Sequence, residues 1–516
     1  MAGVNNFPFL SILTLGPLVG AAVVACIPKA KGNLAKIVAL AVSLVMLVLS
    51  VFMWVAFQVG GDAQRFQFRE SYPWIPGLGV NFTFAADGIA LVMLMLIAVL
   101  VPLVILASWH DAEQSRRSVP VYFALLLSLE ACMFGVFAAA DVFLFYVFFE
   151  VMLVPMYFII GSYGTAKRQY AAVKFFLYSL VGGLFMLAAV IGLWVVGGKT
   201  FDWVALTQID IQTGTERWLF LGFFIAFAIK APFFPFHTWL PDAGGAAPAG
   251  AAALLVGVLD KVGTFGILRY CLPLFPEASQ WFAPWAIALA LIGIIYAALL
   301  AVGQNDLKRL VSYTSIAHFG FIGIGIFAFT TQAGTGAVLY MLNHGLATGL
   351  LFLVVGMFVA RRGSALVSDF GGAGKLVPVL AGVLFFAGLA SLALPGTAPF
   401  VSEFLVLIGV FTVNKTVAVI ATLGIILAAA YVLWMVQRTT QGTLNPALAD
   451  IEPMRKDITL REKVVVAPLI ALLIVLGFYP KPVTDVINPA VEATMQQDMG
   501  KQDPAPTGGG VTEASR

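Results

Sequence analysis

The sequence predicts an all-α polytopic membrane protein with about 14 transmembrane helices, built as two inverted five-helix repeats in which helices 7 and 12 are broken. Three observations predict it. Apolar windows of about 20 residues, the length a spanning helix needs, recur along the whole chain. Lysine and arginine alternate from loop to loop, and two distant apolar runs are interrupted by prolines beside an ionisable residue. Hydrophobic residues make up 61% of the chain and charged residues 11%, against about 25% charged in soluble domains.

The first run, near 8–27, follows Asn5 with no charged segment before it, so it reads as a retained span rather than a cleaved signal. Further runs lie near 36–59, 84–108, 119–139, 141–161, 171–197 and 217–240. Others follow near 246–272, 281–303, 310–330, 336–360, 377–410, 415–437 and 463–479. The seventh meets Pro232, Pro235 and Pro241 just beyond Lys230. The twelfth is too long for one straight helix and contains Pro395-Gly396, so it must break there. No segment reads as a strand domain. The polar, Pro/Gly-rich residues 480–516, ending PAPTGGGVTEASR, read as disordered. The chain thus divides into a three-helix segment (1–118), a first repeat (119–272), a second repeat (281–437), a loop with the last span (438–479) and the tail.

Loop charge sets orientation. Placing Lys29, Lys31 and Lys36 inside also places Arg116, Arg117, Lys167, Arg168, Lys308, Arg309, Arg361 and Arg362 there. Lys375, Arg438, Arg455, Lys456, Arg461 and Lys463 join them, and Lys174, Lys230 and Lys261 fall within spans. Both termini are then expected outside, in a bacterial plasma membrane.

The repeat shows in the broken runs. Pro232 and Pro235 are offset from Pro395 and Pro399 by 163 and 164 residues, and Glu150 from His318 by 168. Five spans is an odd number, so the second unit inserts upside down. Inverted units with broken helices at matching places are a transporter architecture, with sites at mid-membrane.

The mid-span ionisable residues form a short list: Glu130, Glu150, Lys174, Lys230, Asp260, Lys261, His318, His344 and Glu403. An ammonium at mid-membrane costs roughly 2.5–3.5 kcal/mol on insertion scales, so it carries a function or a partner. Lys174 lies near a span end and fits a structural pair. Asp260 adjoins Lys261, and consecutive helical residues do not face each other. Glu150, Lys230, Lys261 and Glu403 are too deep to reach the interface. An opposed Glu150 and Lys230 neutralise each other, and a desolvated lysine can lose and regain its proton where an arginine cannot. Histidines serve as intermediate stations. The set reads as a proton relay rather than purely structural pairing. His237 beside the break is expected to cap it, and His110 in a charged loop has no assigned role.

The net charge of +3 gives no argument for nucleic acid. Cys26, Cys132 and Cys271 lie in apolar runs without paired spacing, which argues against disulfides, zinc or iron–sulfur ligation. No Gly-rich phosphate loop follows a strand.

FYVFFEVMLVPMYFIIG around Glu150, AFAIKAPFFPFHTWLPDA around Lys230, QNDLKRLVSYTSIAHFGFIG around His318 and LASLALPGTAPFVSEFLVL around Glu403 resemble the antiporter-like membrane subunits of respiratory complex I. The resemblance covers roughly residues 80–440. Two features single out one paralogue: glutamate at 403 where others usually carry lysine, and a chain that stops after the last span without a long lateral helix. The resemblance implies proton-translocation roles for Glu150 and Lys230 as a charge pair, Lys261 as central lysine, His318 and His344 on a connecting axis, and Glu403 as terminal residue. Glu130, Asp260 and His237 are secondary candidates. It also implies a chain without cofactor, inside a complex that uses NADH, FMN, iron–sulfur clusters and a quinone. The partners expected are the other membrane and peripheral subunits, including neighbouring antiporter-like ones, and the lipid bilayer. Two departures stand out. GGAAPAGAAALL, within 244–253 and just beyond, offers no side chain that carries a proton, and Asp260 replaces an apolar residue. The alternatives are an Mrp-type cation/proton antiporter subunit, the membrane arm of a proton-pumping hydrogenase, and a structural scaffold.

Overall fold

The computed structural model describes residues 7–60, 64–114 and 117–503. Asn5, Arg116 and the stretch 504–516 lie outside the described residues. Helices α1 (Phe9–Ala25) and α2 (Lys29–Ala56) lead to a hairpin of β1 (Gln67–Ile75) and β2 (Val80–Ala86). Then come α3 (Gly88–Ala107), α4 (Val119–Ala138), α5 (Val142–Tyr163), α6 (Arg168–Val196) and α7 (Thr213–Lys230). A short α8 (Trp239–Ala246) leads into α9 (Ala249–Leu274), α10 (Pro276–Val302), α11 (Leu307–Phe327) and α12 (Thr331–Arg362). The chain continues through α13 (Pro378–Ser391), α14 (Ala398–Val413), α15 (Lys415–Thr440), α16 (Leu460–Phe478) and α17 (Lys481–Asp498).

Among the described residues 10 helices are long and apolar enough to cross a membrane, or 11 if α16 and α17, bent by 69°, make one span. Shorter apolar helices are α1, α13 and α14. Helices α9, α11 and α12 are buried on nearly every side, while α2, α6, α10 and α15 turn Val55, Val195, Leu299 and Ile426 outward. A helix apolar all round belongs in a core or a membrane, and here the inner helices hold Asp260, Lys261, His318 and His344. Helix ends are closed by side chains whose oxygens accept otherwise orphaned amides. Asp87 caps α3, Asp141 caps α5, Asp306 caps α11 and Asn414 caps α15. Thr459 and Glu462 form a capping box on α16, and Glu462 also takes Arg361 through two bonds of 2.7 and 2.8 Å.

The structure corrects the sequence in two places. The chain is not wholly α: β1 and β2 pair antiparallel, with Ser71 opposite Thr83 and their hydroxyls 2.8 Å apart. The physical cause is the aromatic-rich, strand-period segment on either side of a Pro76–Leu78 turn. The hairpin also works locally. The Glu70 carboxylate accepts the backbone amides of Leu10 (2.8 Å) and Ser11 (3.1 Å) at the start of α1.

Residues 480–503 are not a disordered tail. Val483, Val486, Ile487, Ala490 and Val491 recur at helical spacing, are buried, and lay α17 across α3 and α12. Asn488 receives the Thr335 hydroxyl (2.8 Å), and Asp498 holds Arg65 (2.8 Å).

The two broken runs are where proline put them. The run 377–410 is two helices separated at Leu392–Thr397, with Ala393 and Gly396 both at positive φ. The run 217–240 ends its helix at Lys230, before Pro232, and resumes at Trp239.

Candidate functional site

Lys230 closes α7, where the last carbonyls of a helix favour a cation. Past it the backbone is satisfied by protein. Ala231 N–H reaches Phe227 O (2.7 Å), Phe233 N–H reaches Ala228 O (2.9 Å), and the Trp239 indole donates to Ile229 O (2.9 Å). The indole comes from the resumed helix, so the break is stitched by the segment that follows it. A backbone opened in a bilayer needs such partners. Lys230 itself is 1% exposed. Its Nζ lies 4.9 Å from the Phe149 ring and 5.8 Å from that of Phe175, with no hydrogen-bond partner among the described residues.

Glu150, next to Phe149 on α5, is also open: its Oε1 is buried without a partner among the described residues. The carboxylate fits only because residue 183 on α6 is glycine. A Cβ there would lie 1.5 Å from Glu150 Oε1. Glu150 and Lys230 do not approach within the 4.0 Å of an ion pair. They face one another electrostatically across a low-dielectric gap, where Coulomb attraction is weakly screened.

Lys261 is placed by an unusual helix. In α9 two π-turns, Leu255–Leu259 and Ile267–Cys271, flank the α-helical Lys261–Gly266. Such turns loosen the i to i−4 ladder and often mark functional positions. Here the Val256 carbonyl, inside the first of them, accepts the Lys261 ammonium. Lys261 Nζ also sits 2.7 Å from His344 Nδ1 on α12 and 5.1 Å from the Phe319 ring.

From His344 the polar line continues. Its ring stands edge-on to that of His318 on α11, centroids 5.2 Å apart. His318 Nε2 faces the Tyr431 hydroxyl on α15 at 3.3 Å, and its ring lies 5.9 Å from that of Tyr340. Tyr340 OH donates to Glu403 Oε2 at 2.8 Å. Glu403 stands on α14, whose start is held by Asn343 donating to Ala398 O (2.8 Å).

The structure therefore joins Lys261, His344 and His318 by contact, and Glu403 through Tyr340. Lys230 and Glu150 form a separate, unbonded station. Asp260 is fully buried beside Lys261, with neither carboxylate oxygen partnered among the described residues. Glu130 on α4 is in the same condition. His237 stacks near Phe234 (5.8 Å) and Tyr296 (5.3 Å), beside the break and away from the axis. Lys174 bonds Asp242 (2.7 Å), which Arg309 also holds. His110 contacts Glu113 at the surface (2.9 Å). The residues missed from sequence are Tyr340, Tyr431 and Asn343. Tyr340 lies one helical turn before His344, and that spacing was the available signal.

A family model described as "NADH:quinone oxidoreductase/Mrp antiporter, TM" matches residues 139–428. NADH-quinone oxidoreductase subunit M of Mycobacterium tuberculosis is 47% identical over 98% of this chain and 96% of its own length. A chain of respiratory complex I from Thermus thermophilus superposes with a TM-score of 0.85 at 30% identity, covering 95% of this chain and 100% of that one. A chain of the Mrp complex from Dietzia sp. shares the fold, with a TM-score of 0.85 at 20% identity over 95% of this chain and 99% of that one. The family model spans more than half of this chain and the mycobacterial relative nearly all of it, and the glutamate at 403 points to the same paralogue: the chain belongs to the NADH-quinone oxidoreductase subunit M family.

Proposed function

We propose that this chain is the proton-translocating membrane subunit of an NADH–quinone oxidoreductase, working beside the other subunits of that complex. Quinone reduction takes place elsewhere, and the chain itself carries no NADH, FMN, iron–sulfur cluster or quinone. The observation that carries the reading is the continuous polar line of Lys261, His344, His318, Tyr340 and Glu403 through helices that are otherwise apolar. A charge change arriving from a neighbouring subunit acts on Glu150 and Lys230, between which no hydrogen bond forms among the described residues. Lys230 responds by passing its proton to Lys261. The proton travels by His344 and His318 to Glu403 and leaves on the outer side. Asp260, next to Lys261 in sequence, biases both Lys261 and Lys230 by its charge, and Glu130 is a further candidate on α4. His237 shapes the break.

The same reading takes the chain across a bacterial plasma membrane fourteen times with both termini outside, as two inverted five-helix units. The stitched break after Lys230 and the break before Glu403 support it as corresponding features. An Mrp-type antiporter subunit has the same fold, so co-purifying chains separate the two: flavin and iron–sulfur subunits for the redox enzyme, small antiporter subunits for the other. The test of the relay is Lys261→Ala in the complete complex, reconstituted in liposomes. Fewer protons per electron, with assembly intact, is the expected result. Unchanged stoichiometry defeats the relay.

A further inference from the structure

The end of α2, the first turn of α3 and the start of α17 meet at one end of the bundle, and two cavities adjoin there. One is an apolar slot of about 220 Å³ and the other a polar pocket of about 420 Å³. Each of the three elements lines both, through residues about one helical turn apart. Trp54 faces the slot and Phe57 the pocket, Val92 the slot and Gly88 the pocket, Val483 the slot and Val486 the pocket. On α2 and α3 the slot residues are the ones nearer mid-helix, so the slot is the deeper cavity.

Every residue that lines the slot is apolar. Its floor is Leu342 and Leu346, on the helix that carries Tyr340 and His344. Beside it α2 turns Val51 and Val55 outward, and α16 turns Val475 and Phe478 outward. Such faces belong to helices surrounded by hydrocarbon. Trp54 stands in the last turn of α2, and tryptophan is enriched where a membrane meets water. Helix α17, bent by 69° from α16 with its valines buried, lies across this end as an interfacial helix does.

The pocket has a different chemistry. Gln58, Gln64, Gln496 and Gln497 supply amides that both donate and accept, while Arg65 and Glu492 bring one charge of each sign. Arg65 is held from α17: its guanidinium donates to Asp498 (2.8 Å) and to Thr494 (2.9 Å). A guanidinium has five N–H donors, and Arg65 Nε is without a partner among the described residues. A guanidinium fixed in this way suits a phosphate. With Glu492 facing the same space, the pocket suits a ligand of both signs better than a multiply charged anion.

We propose that slot and pocket together bind one zwitterionic phospholipid with a primary amine, a phosphatidylethanolamine. One acyl chain lies in the slot against Leu342 and Leu346, the phosphate turns toward Arg65 and the ammonium toward Glu492. The site stands apart from the polar axis and does not rest on the relay reading.

The experiment uses the complete complex in nanodiscs of phosphatidylcholine. These contain a small fraction of phosphatidylethanolamine that carries a photoreactive group midway along one acyl chain. Labelled peptides are identified by mass spectrometry, and co-purifying subunits report assembly. Label is expected within residues 92–99 of α3 and 472–476 of α16. Val51→Trp plugs the mouth of the slot from an outward-facing position that leaves the core untouched, and Arg65→Gln removes the cation. Each should lower this label by roughly tenfold. Val45→Trp, also outward but on another side of α2, should leave it at the wild-type level. Unlabelled phosphatidylethanolamine should displace the probe better than phosphatidylglycerol does, and Glu492→Gln should remove that preference. Wild-type labelling in either Val51→Trp or Arg65→Gln overturns the site. Equal displacement by the two lipids overturns the choice of headgroup. Cross-links from the slot to another subunit, with no lipid label, mean that protein covers it and overturn the proposal.

Discussion

Between Lys230 and Glu150 no hydrogen bond forms among the described residues, whereas Tyr340 grips Glu403 at 2.8 Å and His344 meets Lys261 at 2.7 Å. One end of the axis is open and cushioned by the Phe149 and Phe175 rings; the other is held by these hydrogen bonds. The difference suits two tasks. A charge that no local bond has settled answers to distant charges, because a dry interior screens them weakly. A bonded network holds its geometry and passes a proton between fixed neighbours. On the relay reading the Lys230 end senses and the Glu403 end conducts.

That contrast can be broken by mutation. Lys230→Ala removes the sensing charge, and the largest effect is expected there: loss of this subunit's coupled proton translocation with the complex still assembled. A normal proton-to-electron ratio would sink the assignment. Tyr340→Phe deletes a bond to a carboxylate, worth about 1.5–3 kcal/mol, and should slow translocation by roughly tenfold or more. Stopped-flow or liposome rates at saturating NADH and quinone read this directly. Gly183→Ala puts a methyl group where Glu150 Oε1 now lies. A several-fold loss is expected, with restoration by Gly183→Ala/Glu150→Asp if the shorter carboxylate escapes the clash. Tyr431→Phe, whose bond to His318 is longer at 3.3 Å, should cost no more than about threefold. A Tyr431→Phe loss exceeding that of Tyr340→Phe would reverse the picture of which tyrosine conducts.

The smallest effect belongs off the axis. Lys36 and His110 hold the Glu113 carboxyl below its usual value of 4.5. A carboxylate with a depressed folded value stabilises at pH above the unfolded one, and that contribution fades as pH falls through the folded one. Glu113 is solvent-exposed, so Glu113→Gln should lower the thermal midpoint only slightly at pH 7, by up to about 1 kcal/mol of stability. The difference should vanish as the pH is brought well below 4.5.

Lys261, His318, His344 and Glu403 could be read from the sequence because an ionisable group in an apolar run is costly enough to need a reason. The tyrosines had no such mark beyond the one-turn spacing of Tyr340 before His344. In a chain with 13% aromatic residues a phenol looks like packing until its hydroxyl is seen beside a carboxylate. Opposite charge suggested pairing Glu150 with Lys230, but the distance depends on where α7 stops and on the notch at Gly183, both tertiary facts. The hairpin escaped notice because a window long enough to find spans averages away a two-residue alternation. In α17 the polar, proline-bearing composition hid Val483, Val486, Ile487 and Ala490, whose spacing alone predicts an amphipathic helix.

The paired π-turns around Lys261 set a limit on how this protein can vary. Each fits one residue more than an α-turn would, and the helix on either side keeps its phase across it. Deleting one residue from Leu255–Leu259 would close that π-turn into an α-turn and remake the backbone in which the Val256 carbonyl accepts the Lys261 ammonium, although no side chain of the axis had changed. All five residues of that stretch are buried, so both their size and the length of the turn are constrained, and on the relay reading a gap of one there is expected to weaken the hold on the lysine.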